Sequence, residues 1–122
     1  VTLTQGDIRQ VQLGKAAIRA AVDLICAKTA VSKNDLHEVL LAGAFGNYLT
    51  ASSVLRIGLL GGVGPEKIRS IGNAAIRGAH IILTDRHMRR RAAQIAERIR
   101  YVEVAHERDF AEVFADSMMF GT

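Results

Sequence analysis

Cysteine and proline are nearly absent from this 122-residue chain, with one of each. The single thiol, Cys26, excludes an internal disulfide framework. It also excludes a cysteine-ligated metal or iron–sulfur site built from this chain alone. Cys26 stands in an apolar helical stretch, where a thiol reads as a small, inert hydrophobe, a reactive group being the alternative. A reduced, cytoplasmic setting is in keeping with that. No apolar run is long enough to cross a bilayer, so a soluble globular class with no membrane role is expected. No basic-then-apolar leader opens the chain. His37, His80, His87 and His106 form neither an i, i+4 pair nor an H-E-x-x-H pattern, which argues against a metal site. No serine sits in G-x-S-x-G and no carboxylates pair for acid–base work, so no catalytic residue is assigned.

What is present is a chain 49% apolar, long enough to bury a core as one domain. It begins at Val1, directly before a helix cap and without an initiator methionine. Residues 1–122 are therefore expected to be one domain cut from a larger protein. Such a piece exposes surface it would otherwise bury, which predicts a homo-oligomer.

Thr4-Gln-Gly-Asp7 has the pattern of a capping box and opens a helix running to about Lys28. Its apolar residues spread over more than half the circumference, so the helix is expected to be mostly buried. Ser32-Lys-Asn-Asp35 heads a single turn. Residues 38–42, containing VLLA, read as a short strand buried on both faces. Thr50 caps a helix to about Leu59, and the only proline, Pro65, falls in a turn region. Residues 68–71 form a second strand and NAAIRGAHIILTD a helix, followed by a helix over 86–98. Tyr101–Val104, YVEV, alternates as a third strand should, and a helix over 109–118 closes the chain. Strands alternating with helices predict an α/β fold with a short, mainly parallel three-stranded sheet.

In such sheets ligands collect at the carboxyl ends of strands. Two glycine-bearing turns fall there, LLAGAFGNY after the first strand and GNAAIRGA after the second. Gly43 and Gly46 lack a Cβ and would let a ribose or phosphate approach the main chain, with Asn47 adding an amide. Plain turn geometry explains the same glycines. The small residues of GNAAIRGA equally suit close helix packing. LGGVGPEK lacks phosphate-loop spacing, and Pro65 removes a donor, so that reading is rejected.

Formal charge is +4, but six arginines fall between residues 86 and 100 while the last twenty residues are acidic. Met88, Ala92, Ile95 and Ile99 share one face of that helix, with Arg86, Arg89, Arg90 and Arg100 opposite. No aromatics interleave with the basic residues, which argues against nucleic acid. A solvated face or a docking surface for an acidic partner through Arg89, Arg90 and Arg91 remain.

Taken in order, DIRQVQLGKAAIRAAVDL, VLLAGAFGNYL, IGLLGGVGPEKIRSIGNAAIRGAHIIL and YVEV resemble the C-terminal end of the RamA-like reductive activators of corrinoid proteins. The resemblance covers nearly the whole chain and is anchored by AGAFGN and IGNAAIRGA. It implies a ribonuclease-H-like half of an ATPase domain of the acetate and sugar kinase, Hsp70 and actin superfamily. On that resemblance Gly43, Ala44, Phe45, Gly46 and Asn47 form the adenosine-side turn. Lys15 of the preceding helix is a further nucleotide contact, and Gly72 with Asn73 match the second turn. The implied activity is ATP-dependent reduction of a cobalt(II) corrinoid protein, the client, to cobalt(I). ATP or ADP with magnesium would be the cofactor, with magnesium held mainly outside this chain. The iron–sulfur cluster would lie elsewhere in the parent protein, since one cysteine cannot hold it. No D-x-G turn is present, so the phosphate-gripping part is also expected upstream, and the chain alone is not expected to be catalytic. A non-catalytic docking or oligomerisation module using helix 86–100 is the alternative.

Overall fold

The computed structural model describes residues 2–121, with the side chains of Ala44 and Phe45 outside the described set. The first helix, α1 (Gln5–Thr29), starts where the sequence predicts. Thr4 Oγ1 accepts the Asp7 N–H at 3.2 Å, and the Asp7 carboxylate accepts the Thr4 N–H at 2.8 Å. Two helix-end donors are thus satisfied reciprocally. The helix ends at Ala30, whose φ of 55° turns the chain out of the helix. A 3-10 turn, Lys33–Asp35, leads into strand β1 (Val39–Ala42).

Helix α2 (Gly43–Tyr48) follows β1 without a linker, and α3 (Ala51–Arg56) is capped by Thr50 Oγ1 accepting the Ser53 N–H at 3.1 Å. A turn region and the 3-10 turn Pro65–Lys67 deliver strand β2 (Ile68–Gly72). Asn73 caps α4 (Ala74–Thr84), Asp85 caps α5 (Arg86–Ala96), and α6 (Phe110–Asp116) lies near the end of the chain. β1 and β2 pair in parallel, Val39 with Ile68 through Ala42 with Gly72, with an irregularity between Leu41 and Ala42. Both strands therefore deliver their carboxyl ends, and the helices after them, to one edge of the sheet.

The fold is α/β, mostly helical, and its sheet has two strands among the described residues. The expected third strand at Tyr101–Val104 is not one. Val104 begins a 3-10 turn, Val104–His106, that packs on α1, and Tyr101 and Val102 lie across the carboxyl end of α1 beside Ile25, Lys28 and Thr29. Its alternation is real, with Val102 and Val104 turned inward between exposed Tyr101 and Glu103, but the surface it meets is a helix. The strand VLLA is likewise not covered on both faces, since Leu40 is 44% exposed. α1 is less buried than its apolar breadth suggests; Val11 and Ile25 are exposed, whereas Ala16 and Ala20 are fully covered.

The core gathers Val54, Leu59, Leu60, Val63 and Ile68, with Ile18 and Val22 of α1 and Val39 and Leu41 of β1 against it. A polar network fixes α1 on the turn region after α3. Asp23 pairs with Lys33 and, at 3.7 Å, with Arg19. Lys33 Nζ donates to the Gly61 carbonyl at 2.8 Å, and an Arg19 Nη to the Gly58 carbonyl at 3.4 Å.

The cap at the start of α1 makes an acid-sensitive contribution. Hydrogen bonds from the Thr4 hydroxyl and the Thr4 N–H hold the Asp7 carboxyl below its ordinary value of 3.8. A depressed folded pKa stabilises the fold above the unfolded value and stops doing so as pH falls through the folded one. Asp7→Asn is expected to be destabilising at pH 7 and to lose that difference from the parent protein as pH drops below about 4. Urea unfolding followed across that range checks it; a pH-independent difference would contradict it.

Candidate functional site

The two turns singled out in the sequence meet at the carboxyl edge of the sheet. Gly43 leaves β1 with φ 72°, a conformation that strains any residue with a Cβ, and a Cβ built there would meet no atom within 4 Å. That position opens outward. Gly46 is different. It is buried, and a Cβ on it would overlap the Leu41 carbonyl oxygen and come within 3.1 Å of the Gly72 N. Its lack of a side chain lets α2 press onto the ends of both strands, so this glycine serves packing.

Asn47 lies one residue further on, with Oδ1 3.5 Å from where a Cβ of Gly72 would stand. The first turn therefore touches the second. Asn73 caps α4 through Oδ1, which accepts the Ile76 N–H at 3.1 Å. That bond uses its carbonyl oxygen and leaves the amide N–H groups as donors. Ser70, two residues before Gly72, donates its hydroxyl to the Gly46 carbonyl. Ser70 was not singled out from the sequence, because one serine in a short strand carries no pattern. Tyr48, at the end of α2, is 85% exposed beside this edge.

Gly43, Gly46, Asn47, Gly72 and Asn73 are thus brought together. So is the backbone of Ala44 and Phe45, whose side chains lie outside the described residues. Groups of this kind are main-chain amides and carboxamides. Such groups can bind and orient a polar ligand, and the crevice at strand ends is where an open α/β sheet presents one.

Lys15 has a different environment. Its residue is 3% exposed, its ammonium donates to the Met119 carbonyl, and it stands 5.4 Å from the centroid of the Phe120 ring. Burial, with repulsion from Arg19, lowers its pKa. One turn earlier on α1, Gln12 Nε2 donates to the Met118 carbonyl at 3.4 Å. Lys15 also lines an apolar cavity of about 300 Å³ with Val11, Gly14, Ile18, Leu49, Ile57 and Leu59. Its charge is directed at the C-terminal segment, which a helical projection of α1 could not anticipate.

The basic helix α5 packs against α4. Arg89 Nε donates to the Ile82 carbonyl at 3.2 Å near the end of α4, Arg91 lines a groove with Gly78, Ile81 and Met88, and Arg90 is exposed. The three neighbouring arginines therefore have unlike surroundings. Gly78 lines that groove, but a Cβ on it would meet no atom within 4 Å, so the α4–α5 contact does not require a glycine there and the close-packing reading of GNAAIRGA finds no support at this position.

The family model described as the C-terminal domain of RACo, the ASKHA domain, matches residues 1–122. The chain is 36% identical over 121 residues to the corrinoid activation enzyme RamQ of Eubacterium limosum, covering 99% of this chain and 20% of that protein. A solved structure of a reductive activator for corrinoid, iron-sulfur protein is similar with a TM-score of 0.90 and 28% identity. That match covers 98% of this chain and 19% of the other. The chain spans about a fifth of the length of each of these relatives.

The packing of Gly46 makes a direct prediction. Gly46→Ala must displace α2 from the strand ends and is expected to cost about 1–3 kcal/mol, the usual range for overpacking a close contact. Gly43→Ala has open space and is limited by backbone strain of about 1–2 kcal/mol. Denaturant unfolding of both variants tests the distinction, together with amide exchange at Leu41 and Gly72. Unchanged exchange there in Gly46→Ala would contradict it.

Proposed function

The chain belongs to the family of the C-terminal, ASKHA domain of RACo, and on that premise we propose that it is the adenosine-side portion of an ATP-binding domain in a larger activator of corrinoid proteins. The observation that carries the reading is the meeting of two glycine turns at the carboxyl ends of parallel strands, with Gly43 open and Asn47 against Gly72. In this reading Gly43, Ala44, Phe45, Gly46 and Asn47 line the adenosine side through their main chain. Asn47 and Asn73 direct side-chain amides toward the same ligand, and Gly72 lets the second turn come close. Lys15 belongs to the nucleotide site only if its ammonium exchanges the Met119 carbonyl for the ligand.

These residues suit the uncharged part of a nucleotide better than its phosphates. Among the described residues no three of His, Cys, Asp and Glu come together as metal ligands. On the same reading, magnesium and the phosphate grip belong to the remainder of the protein, since no D-x-G turn is present in this sequence. So does the iron–sulfur cluster, because the sequence holds one cysteine. When bound, ATP supplies the free energy for an unfavourable electron transfer; the part played by these residues is to hold and orient the adenosine. The whole protein would reduce the cobalt(II) corrinoid of a client protein to cobalt(I). No helix among the described residues is long and apolar enough to cross a membrane.

Calorimetric titration of the full-length protein with ADP tests the proposal. The parent protein is expected to bind, and Asn47→Ala to weaken binding about tenfold, the loss of one well-placed hydrogen bond in a desolvated site. Absence of ADP and ATP binding to the full-length protein would defeat the reading.

A further inference from the structure

The helix that carries the first turn is too short to hold itself in place. α2 has six residues, Gly43–Tyr48, and isolated helices of that length are not stable in water. Its orientation must come from contacts with the sheet. Two of these act on one residue. The Gly46 backbone rests against the Leu41 carbonyl and the Gly72 amide, and the Gly46 carbonyl accepts the Ser70 hydroxyl. The first contact is a matter of shape and limits how close α2 can come. The second is directional, and it joins α2 to β2, the strand that leads to the other turn.

We propose that Ser70 is a positioning residue that locks the first turn to the second, so that Asn47 and Asn73 present their amides as one rigid pair. The inference rests on the nucleotide reading above and adds a residue that touches no ligand in it. Ser70 is exposed, so removing its hydroxyl opens no cavity, and a threonine keeps the hydroxyl. Gly46 lies near the end of α2, where helix carbonyls lack an intrahelical partner. The Ser70 hydroxyl supplies one. Asn47 follows Gly46 directly, so rotation of that peptide would carry the Asn47 side chain away from Gly72.

The test compares Ser70→Ala and Ser70→Thr with the parent in the full-length protein. Amide exchange at residues 46–48 and 72–73 is measured without nucleotide, and ADP affinity by calorimetry. Ser70→Ala is expected to speed exchange at the first turn about five- to tenfold and to weaken ADP by a similar factor, at an unchanged thermal midpoint. Ser70→Thr is expected to restore both. Parent-like exchange in Ser70→Ala overturns the lock. Faster exchange with unchanged ADP affinity also overturns the proposal, by separating the lock from the ligand. If the parent itself binds no ADP, the nucleotide reading fails, and the exchange rates alone decide whether Ser70 holds the turn.

Discussion

The close approach of the Gly46 backbone to the carboxyl ends of both strands is the constraint on which the rest of the site depends. Any Cβ there would overlap the Leu41 carbonyl oxygen, so α2 can lie across the sheet edge only because this residue has no side chain. That approach brings Asn47 beside Gly72 and makes one edge out of two turns separated by some thirty residues. The left-handed backbone at Gly43 aims the chain into α2 immediately after β1, with no loop to absorb a misfit. The meeting of the two turns is thus a consequence of how tightly α2 packs on the strand ends.

The sheet edge is held from below by contacts that leave the turns themselves free. α1 sits on the core through Ile18 and Val22 and is fixed to the 58–62 turn region by the Asp23, Lys33 and Arg19 network. Its other side grips the C-terminal segment through Gln12 and Lys15. By contrast Ile76, Leu83, Ile99 and Tyr101 are strongly exposed. Apolar surface on that scale is ordinarily covered by something. It accords with a chain that spans about a fifth of its relatives.

The elements whose ends are set by local chemistry were legible in the sequence. Thr4 and Thr50 each cap the helix expected of them, because a cap needs only a side-chain oxygen a few residues from a free N–H. The turns at Gly43 and Gly72 were legible for the same reason. YVEV misled because alternation reports only that one side is covered, and the packed carboxyl end of α1 satisfies that as well as a neighbouring strand. Gly46 could be seen as a glycine but not as a packing glycine, since the oxygen it abuts belongs to a strand five residues earlier. Lys15 and Ser70 were beyond reach for a stronger reason. Their partners are Met119 and Gly46, distant in sequence, and no local pattern encodes such pairs.

The central claim is that the joined turns form the adenosine-facing wall of a nucleotide cleft. A crystal structure of the full-length protein with bound ADP tests it most directly. The account predicts the adenine or ribose in van der Waals contact with the main chain at Gly43–Asn47, with the phosphates directed away from α2 toward the remainder of the protein. ADP bound with the turns at Gly43 and Gly72 both facing solvent would contradict it.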